Sequence, residues 1–216
     1  MAEIGRFKIR HAELKHRDAK FITAAFDSSL PFQASIGSGA QWGEQPFSEV
    51  DGFLAKQEQT IHDANHYRLT GEGNSCHVWI AEVECEADGE RKVVRVGTAH
   101  ARANDWPSYV STQEHLEDVI SEAKNFTFLV FLVSDFTTGD LRKGAGAALI
   151  QHVKAIAEEE GRSVVFVDCW AGNDGKLVQY YEAQGFKKIG NFSVVRPNKD
   201  PWPGALFRMD LGSAVN

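Results

Sequence analysis

Residues 126–133, FTFLVFLV, form a continuous apolar run. A run of that kind suits a central strand covered on both faces rather than a half-exposed one. A second run, SVVFVDCW at 163–170, reads the same way. Between them, residues 144–160 carry Ala145, Leu149, Val153, Ile156 and Ala157 at helical spacing, and Gly161 is placed to end the helix. Strand, helix and strand in this order imply a right-handed parallel crossover. The middle of the chain is therefore expected to be a parallel pair inside an α/β domain.

The flanking segments read differently. RFKIRHA (6–12) alternates and predicts a half-exposed strand, followed by helices over 16–30 and 49–65. The stretch 31–47 is rich in Gly, Pro, Ser and Gln yet carries Phe32, Trp42 and Phe47, and predicts a long loop. Strands over 75–85 and 91–103 flank ADGE, whose Asp-Gly pair is a hairpin signal. Residues 104–125 interrupt as a loop and one short helix over 112–124. After 170, AGNDG leads into a helix at KLVQYYEAQ, with Gly185 as its left-handed cap, and strands at 186–195 and 205–211 complete the sheet. The expectation is one domain over 1–216, with a mixed sheet of about seven strands, antiparallel first and parallel in its centre.

Composition narrows the function. At 216 residues and 43% hydrophobic content the chain can build a real core. A net charge of −7 argues against a nucleic-acid partner and is compatible with an amine-bearing substrate. Cys76, Cys85 and Cys169 are odd in number and widely spaced, which points to a reducing compartment. The first twenty residues lack the apolar segment of a signal peptide, and no stretch approaches the ~20 apolar residues of a membrane span. A cytoplasmic protein with no membrane partner is expected.

The stretch LRKGAGAALI (141–150) places two cations and two glycines at the start of a helix, where free N–H groups favour an anion. Gly139 and Gly144 have P-loop spacing, but Ala145 and Gly146 stand where the Lys and Ser/Thr belong, so triphosphate chemistry is unsupported. The dinucleotide fingerprint fits Gly144 and Gly146 and fails at Leu149. A turn of two basic residues and G-x-G-x-x-L-[LI] after a buried strand resembles the acetyl-CoA pyrophosphate loop of the GNAT superfamily of N-acyltransferases. Leu141 stands where that family usually has Gln or Arg, and the linker from the strand is about three residues longer than usual. Downstream, NDGKLVQYYEAQGF (173–186) resembles the family's second signature, an Asn after a buried strand and a short helix ending in Y-x-x-x-G-F. Asn173 falls one residue early for that pattern.

The resemblance implies acetyl transfer from acetyl-CoA, as co-substrate, to an amine by direct attack, with no metal. Backbone amides of Arg142, Lys143, Gly144, Ala145, Gly146 and Ala147 would face the pyrophosphate, with charge added by Arg142 and Lys143. Leu132, Val133 and Ser134 would bond the pantetheine arm where the strands at 126–134 and 163–170 splay apart, with Asn173 nearby. Tyr181 holds the position of the family's acid. For the base, Asp168 is a carboxylate in an apolar strand, which needs a partner or a function; Asp135, His100 and Glu82 are alternatives. His62 and His66 have metal-ligand spacing but no third ligand, and read as exposed helix histidines. Cys169, in an apolar strand, reads as a small hydrophobe.

The acceptor is not written in these motifs. Trp42, Glu44 and Trp106 are candidates for its pocket, since loop aromatics can wall in an amine; dimer contacts or loop anchoring account for them equally. The preferred acceptor is a small-molecule amine. A protein N-terminal or lysine amine, or a CoA-binding module without catalysis, are the alternatives, and a homodimer is compatible with either.

Overall fold

A strand not foreseen from the sequence opens the chain. In the computed structural model, which describes residues 1–87, 89–197 and 199–212, Gly5 takes a φ of 59°. That left-handed turn folds β1 (Ala2–Ile4) antiparallel onto β2 (Phe7–His11), with Ile4 opposite Phe7. The sheet consequently has eight strands rather than about seven. The elements that follow are α1 (Asp18–Ser35), α2 (Phe53–Thr70), β3 (Cys76–Ala87), β4 (Glu90–Ala103), α3 (Ser108–Ser111), α4 (Glu117–Glu122), β5 (Phe126–Ser134), α5 (Ala145–Glu159), β6 (Val164–Trp170), α6 (Lys176–Ala183), β7 (Lys187–Arg196) and β8 (Lys199–Asp210). Hydrogen bonding orders the strands β1-β2-β3-β4-β5-β6-β8-β7. β5 and β6 are parallel, as the apolar runs required, while β8 is antiparallel to both β6 and β7. Asp88 of the anticipated Asp-Gly turn lies outside the described residues. The chain separates into two compact units, Met1–Ala101 with Phe131–Val153, and Arg102–Val130 with Lys154–Asn216.

In the first unit, α1 and α2 bury Ile22, Ala25, Phe26, Ile61 and Ala64 against Val78 and Ile80 of β3. Alternation along β3 sends Trp79 to the other face, where it stacks on His77 and meets the edge of His152 on α5 (ring centroids 5.1 and 5.2 Å). α1 outruns the expected helix and passes through Pro31 to Ser35, so the loop expected from residue 31 begins later. Proline costs one helix hydrogen bond, but Phe32, in the last turn, stacks on Phe136 at 4.5 Å, and tertiary packing overrides the local preference.

The start of α1 is fixed by a buried charge. Asp18 is fully buried and accepts hydrogen bonds from Arg10 Nη1 (2.6 Å), the Glu13 amide (2.8 Å) and Arg95 Nη1 (3.1 Å). Burial pushes its pKa upward, but these donors outweigh burial and hold the carboxyl below its ordinary 3.8. Asp18→Asn should cost about 3 kcal/mol in urea unfolding at neutral pH, the low end for breaking a buried pair, because Arg10 keeps Glu82 at 2.8 Å. The folded pKa is depressed, so this stability is present above 3.8 and fades as pH falls through the folded value. The gap between the two proteins should therefore narrow in acid.

In the second unit, β6 pairs with β5 only from Phe126↔Val164 to Leu129↔Val167, although β5 runs on to Ser134 and β6 to Trp170. Asp168, Cys169 and Trp170 keep their pairing with β8, opposite Leu206, Ala205 and Gly204. Residues 104–125 form short pieces rather than one helix over 112–124: α3, a 3-10 turn at Glu114–Leu116, and α4. Their apolar residues Val110 and Leu116 join Phe126, Phe128, Val164, Phe166, Phe192 and Leu206 in one cluster. Burying each such large side chain contributes about 1.5–3 kcal/mol, which compensates for helices too short to hold themselves. Gly185 ends α6 at φ 91°, as expected.

Candidate active site

In the first unit the glycine-rich turn opens α5. Gly144 takes φ 91°, and a Cβ there would be strained and would reach the Phe7 ring at 3.4 Å. Ala148 N–H is the first to bond back, to Gly144 O at 3.0 Å, so the Ala145, Gly146 and Ala147 amides lack helix partners. Unpaired donors at a helix N-terminus, beside a glycine without a side chain, can seat an anion.

The turn is held from below. Arg6, from the β1–β2 hairpin, donates its Nη2 to the carbonyls of Asp140 (2.9 Å), Leu141 (2.9 Å) and Lys143 (3.0 Å). Asp135 accepts from the Thr137 amide at 2.9 Å, and the Phe136 amide donates to Ser28 Oγ at 2.9 Å. Gly139, in the longer linker, has φ 55° and ψ −125°, a region open essentially to glycine.

The two cations foreseen for the anion are engaged nearby. The Arg142 guanidinium lies over the Phe136 ring, 3.8 Å from its centroid, and Lys143 Nζ is 2.7 Å from Asp140. The Lys143 amide is engaged as well, donating to Asp140 O at 3.2 Å, and Ala145 is fully buried, which leaves the half-buried Gly146 and Ala147 to present unpaired amides at the helix start.

Leu132 and Ser134 are half-buried and Val133 is buried at the end of β5. A Cβ on Gly97 of β4 would lie 3.2 Å from Val133 O and 3.5 Å from Ala145 Cβ. Gly97 therefore brings the strand end and the first turn of α5 together. It had not been singled out, although an isolated glycine inside a strand pattern is the signal for close backbone approach. In the same unit the Trp42 ring packs on Phe26 and Phe47 at 5.0 and 5.6 Å, and Glu44 is exposed.

In the second unit two expected catalytic residues stand on opposite faces of β6. Asp168 shares a face with Val164 and Phe166 by alternation. Tyr181 of α6 packs at 5.9 Å on Phe207, the strand partner of Val167, on the other face. Tyr181 is buried, and burial, with Cys169 beside it, pushes its pKa well above 10, so it keeps its proton. The Asp168 carboxyl accepts from Tyr109 Oη at 3.1 Å. Burial raises it to about 7, against the lowering effect of that hydrogen bond. Cys169 is pushed up to about 12 by burial, which makes it an inert thiol, as its apolar strand suggested.

Asn173, Asp174 and Gly175 have φ of 51°, 53° and 68°, three left-handed residues in a row before α6. Trp106 packs on Phe126 and Phe166, both at 4.6 Å, and its Nε1 is buried without a hydrogen bond. The other candidate bases are already paired: Glu82 with Arg10, Asp135 with Thr137, and His100 Nε2 at 3.4 Å from Cys76 Sγ. His62 and His66 are exposed, and no group of three metal-ligating side chains occurs among the described residues.

No known family pattern matches the sequence, and neither does any curated protein. Solved structures do match, over nearly the whole chain. The N-acetyltransferase of Staphylococcus aureus Mu50 is 15% identical, with a TM-score of 0.58 over 95% of this chain and 99% of that one. The ribosomal-protein-alanine N-acetyltransferase of Brucella melitensis is 18% identical, with 0.57 over 94% and 99%. A GNAT superfamily phosphinothricin acetyltransferase of Sinorhizobium meliloti, solved with AcCoA, is 16% identical, with 0.57 over 96% and 89%. The chain has the GNAT acetyltransferase fold. No helix among the described residues is long and apolar enough to cross a membrane.

Proposed function

We propose that this protein is an N-acetyltransferase that moves the acetyl group of acetyl-CoA to the amine of a small molecule by direct attack. The observation that carries this reading is the helix start at Ala145–Ala147. Its unpaired amides at Gly146 and Ala147, following the left-handed Gly144 and the Arg6 clasp, suit a pyrophosphate. The residues fit that co-substrate: Gly146 carries no side chain, and Gly97 sets the Val133 carbonyl beside the same turn.

In this reading the amides of 144–147 hold the pyrophosphate. Backbone groups of Leu132, Val133 and Ser134, with Asn173, align the arm that carries the thioester. An amine attacks only when neutral, so its ammonium form must first lose a proton. Asp168 accepts that proton, and Tyr181, on the other face of β6, protonates the departing sulfur. Trp42, Glu44 and Trp106 remain the proposed contacts of the acceptor. A cytoplasmic location belongs to the same proposal and agrees with three cysteines that form no disulfide among the described residues.

Incubation with acetyl-CoA and panels of small amines and peptides, following thiol release, tests the reading. Release with small amines is expected. Release only with peptides would move the acceptor to protein amines, and tight CoA binding without any release would leave a binding module. The pH dependence carries a sign. Asp168 must be ionised to act, and its carboxyl is raised to about 7. For an amine acceptor, kcat/KM should therefore rise with pH through about 7 and level off above it.

A further inference from the structure

Tyr109 is the one side chain that hydrogen-bonds the Asp168 carboxylate among the described residues. It stands on α3, in the segment between β4 and β5. That segment is fastened down. Val110 is fully buried, Gln113 Nε2 donates to the Tyr109 carbonyl at 2.9 Å, and His115 Nε2 lies 2.7 Å from the Asn191 carbonyl of β7. The Tyr109 ring stacks on Phe192 at 6.2 Å. Despite these anchors Tyr109 is 36% exposed, and Asp168 is half-buried.

We propose that Tyr109 is the positioning residue of the proton acceptor: its hydroxyl fixes Asp168 Oδ1 and leaves Oδ2 to take the proton of a small primary ammonium. This rests on the reading of Asp168 as base. Burial and the neighbouring Asp168 keep the Tyr109 phenol protonated far into the alkaline range, so it donates throughout the working range. The other ionisable groups around this strand are Arg102 of β4, which faces Tyr109 and is paired with Asp105 at 2.8 Å, Cys169 beside it, Tyr181 and Glu182 of α6, and Lys188 of β7. Of these side chains, Tyr109 alone acts on the Asp168 carboxyl.

The proton balance closes. The first ammonium proton passes to Asp168 Oδ2 and on to water. The N–C bond then forms as the C–S bond breaks. The proton shed by the new amide nitrogen goes to Asp168 and on to water, Tyr181 gives its proton to sulfur, and water returns one proton to Tyr181.

Tyr109→Phe keeps the ring on Phe192 and removes the donor that favours the carboxylate. The Asp168 midpoint should rise by about one pH unit. Carboxyl NMR of the labelled protein, assigned with Asp168→Asn, reads this without any turnover. The acidic limb of kcat/KM for the acceptor should move up equally. Activity should be roughly tenfold low on that limb and near wild type at pH 9, with the acetyl-CoA KM unchanged. An unmoved Asp168 midpoint in Tyr109→Phe overturns the proposal. If instead Asp168→Asn keeps the wild-type rate and acidic limb, the base reading itself fails, whatever Tyr109→Phe does to the carboxyl titration.

Discussion

Tyr181→Phe should lower kcat by about 10²–10⁴-fold, the range for loss of a positioned acid, and leave acetyl-CoA affinity almost unchanged. The ring is buried and packs on Phe186 and Phe207, and phenylalanine preserves both contacts, so folding should not suffer. Burial holds the hydroxyl proton far above neutrality. The hydroxyl is thus still protonated when charge develops on the departing sulfur, which is when an acid acts. The prediction is therefore confined to the step in which sulfur departs. Single-turnover kinetics separates that step from product release. A variant whose chemical step stays within about twofold of wild type would remove Tyr181 from the role of acid.

Gly146→Val should raise the acetyl-CoA Kd by at least about 10³-fold, comparable to or beyond what a lost set of charge-assisted hydrogen bonds costs. A branched side chain on the first turn of α5 would stand over the amides of 145–147. The same change should not weaken the helix, since valine is a better helix residue than glycine by a few tenths of a kcal/mol. Stability and binding are thus expected to move in opposite directions. Calorimetry that finds wild-type affinity in the folded variant would exclude the α5 start as the pyrophosphate seat.

Much of the fold was legible because its signals are local. Two apolar runs and a helical stripe between them required the parallel β5–α5–β6 arrangement, and the spacing of Gly144 and Gly146 marked the helix start. Other features depend on partners far away in sequence. Arg6 reaches carbonyls more than 130 residues downstream, and Tyr109 meets a carboxylate 59 residues away. No window of sequence contains either pair. Trp106 shows a second limit. A loop aromatic has the same spelling whether its ring awaits a ligand or fills a core, and here the ring packs on Phe126 and Phe166. β1 escaped notice because three residues carry no periodicity to read.

The two outer strands bear on how copies of this chain can meet. A free strand edge is a row of unspent donors and acceptors that invites a second sheet to extend the first. At one end of the strand order stands β1, only three residues long. At the other, β7 breaks its register with β8 twice, between Lys188 and Gly190 and between Val194 and Arg196, and carries Lys187, Lys188 and Arg196. A brief edge and a kinked, cationic one both resist ladder growth. Any homodimer should therefore rest on side-chain faces rather than on a sheet continued across the symmetry axis.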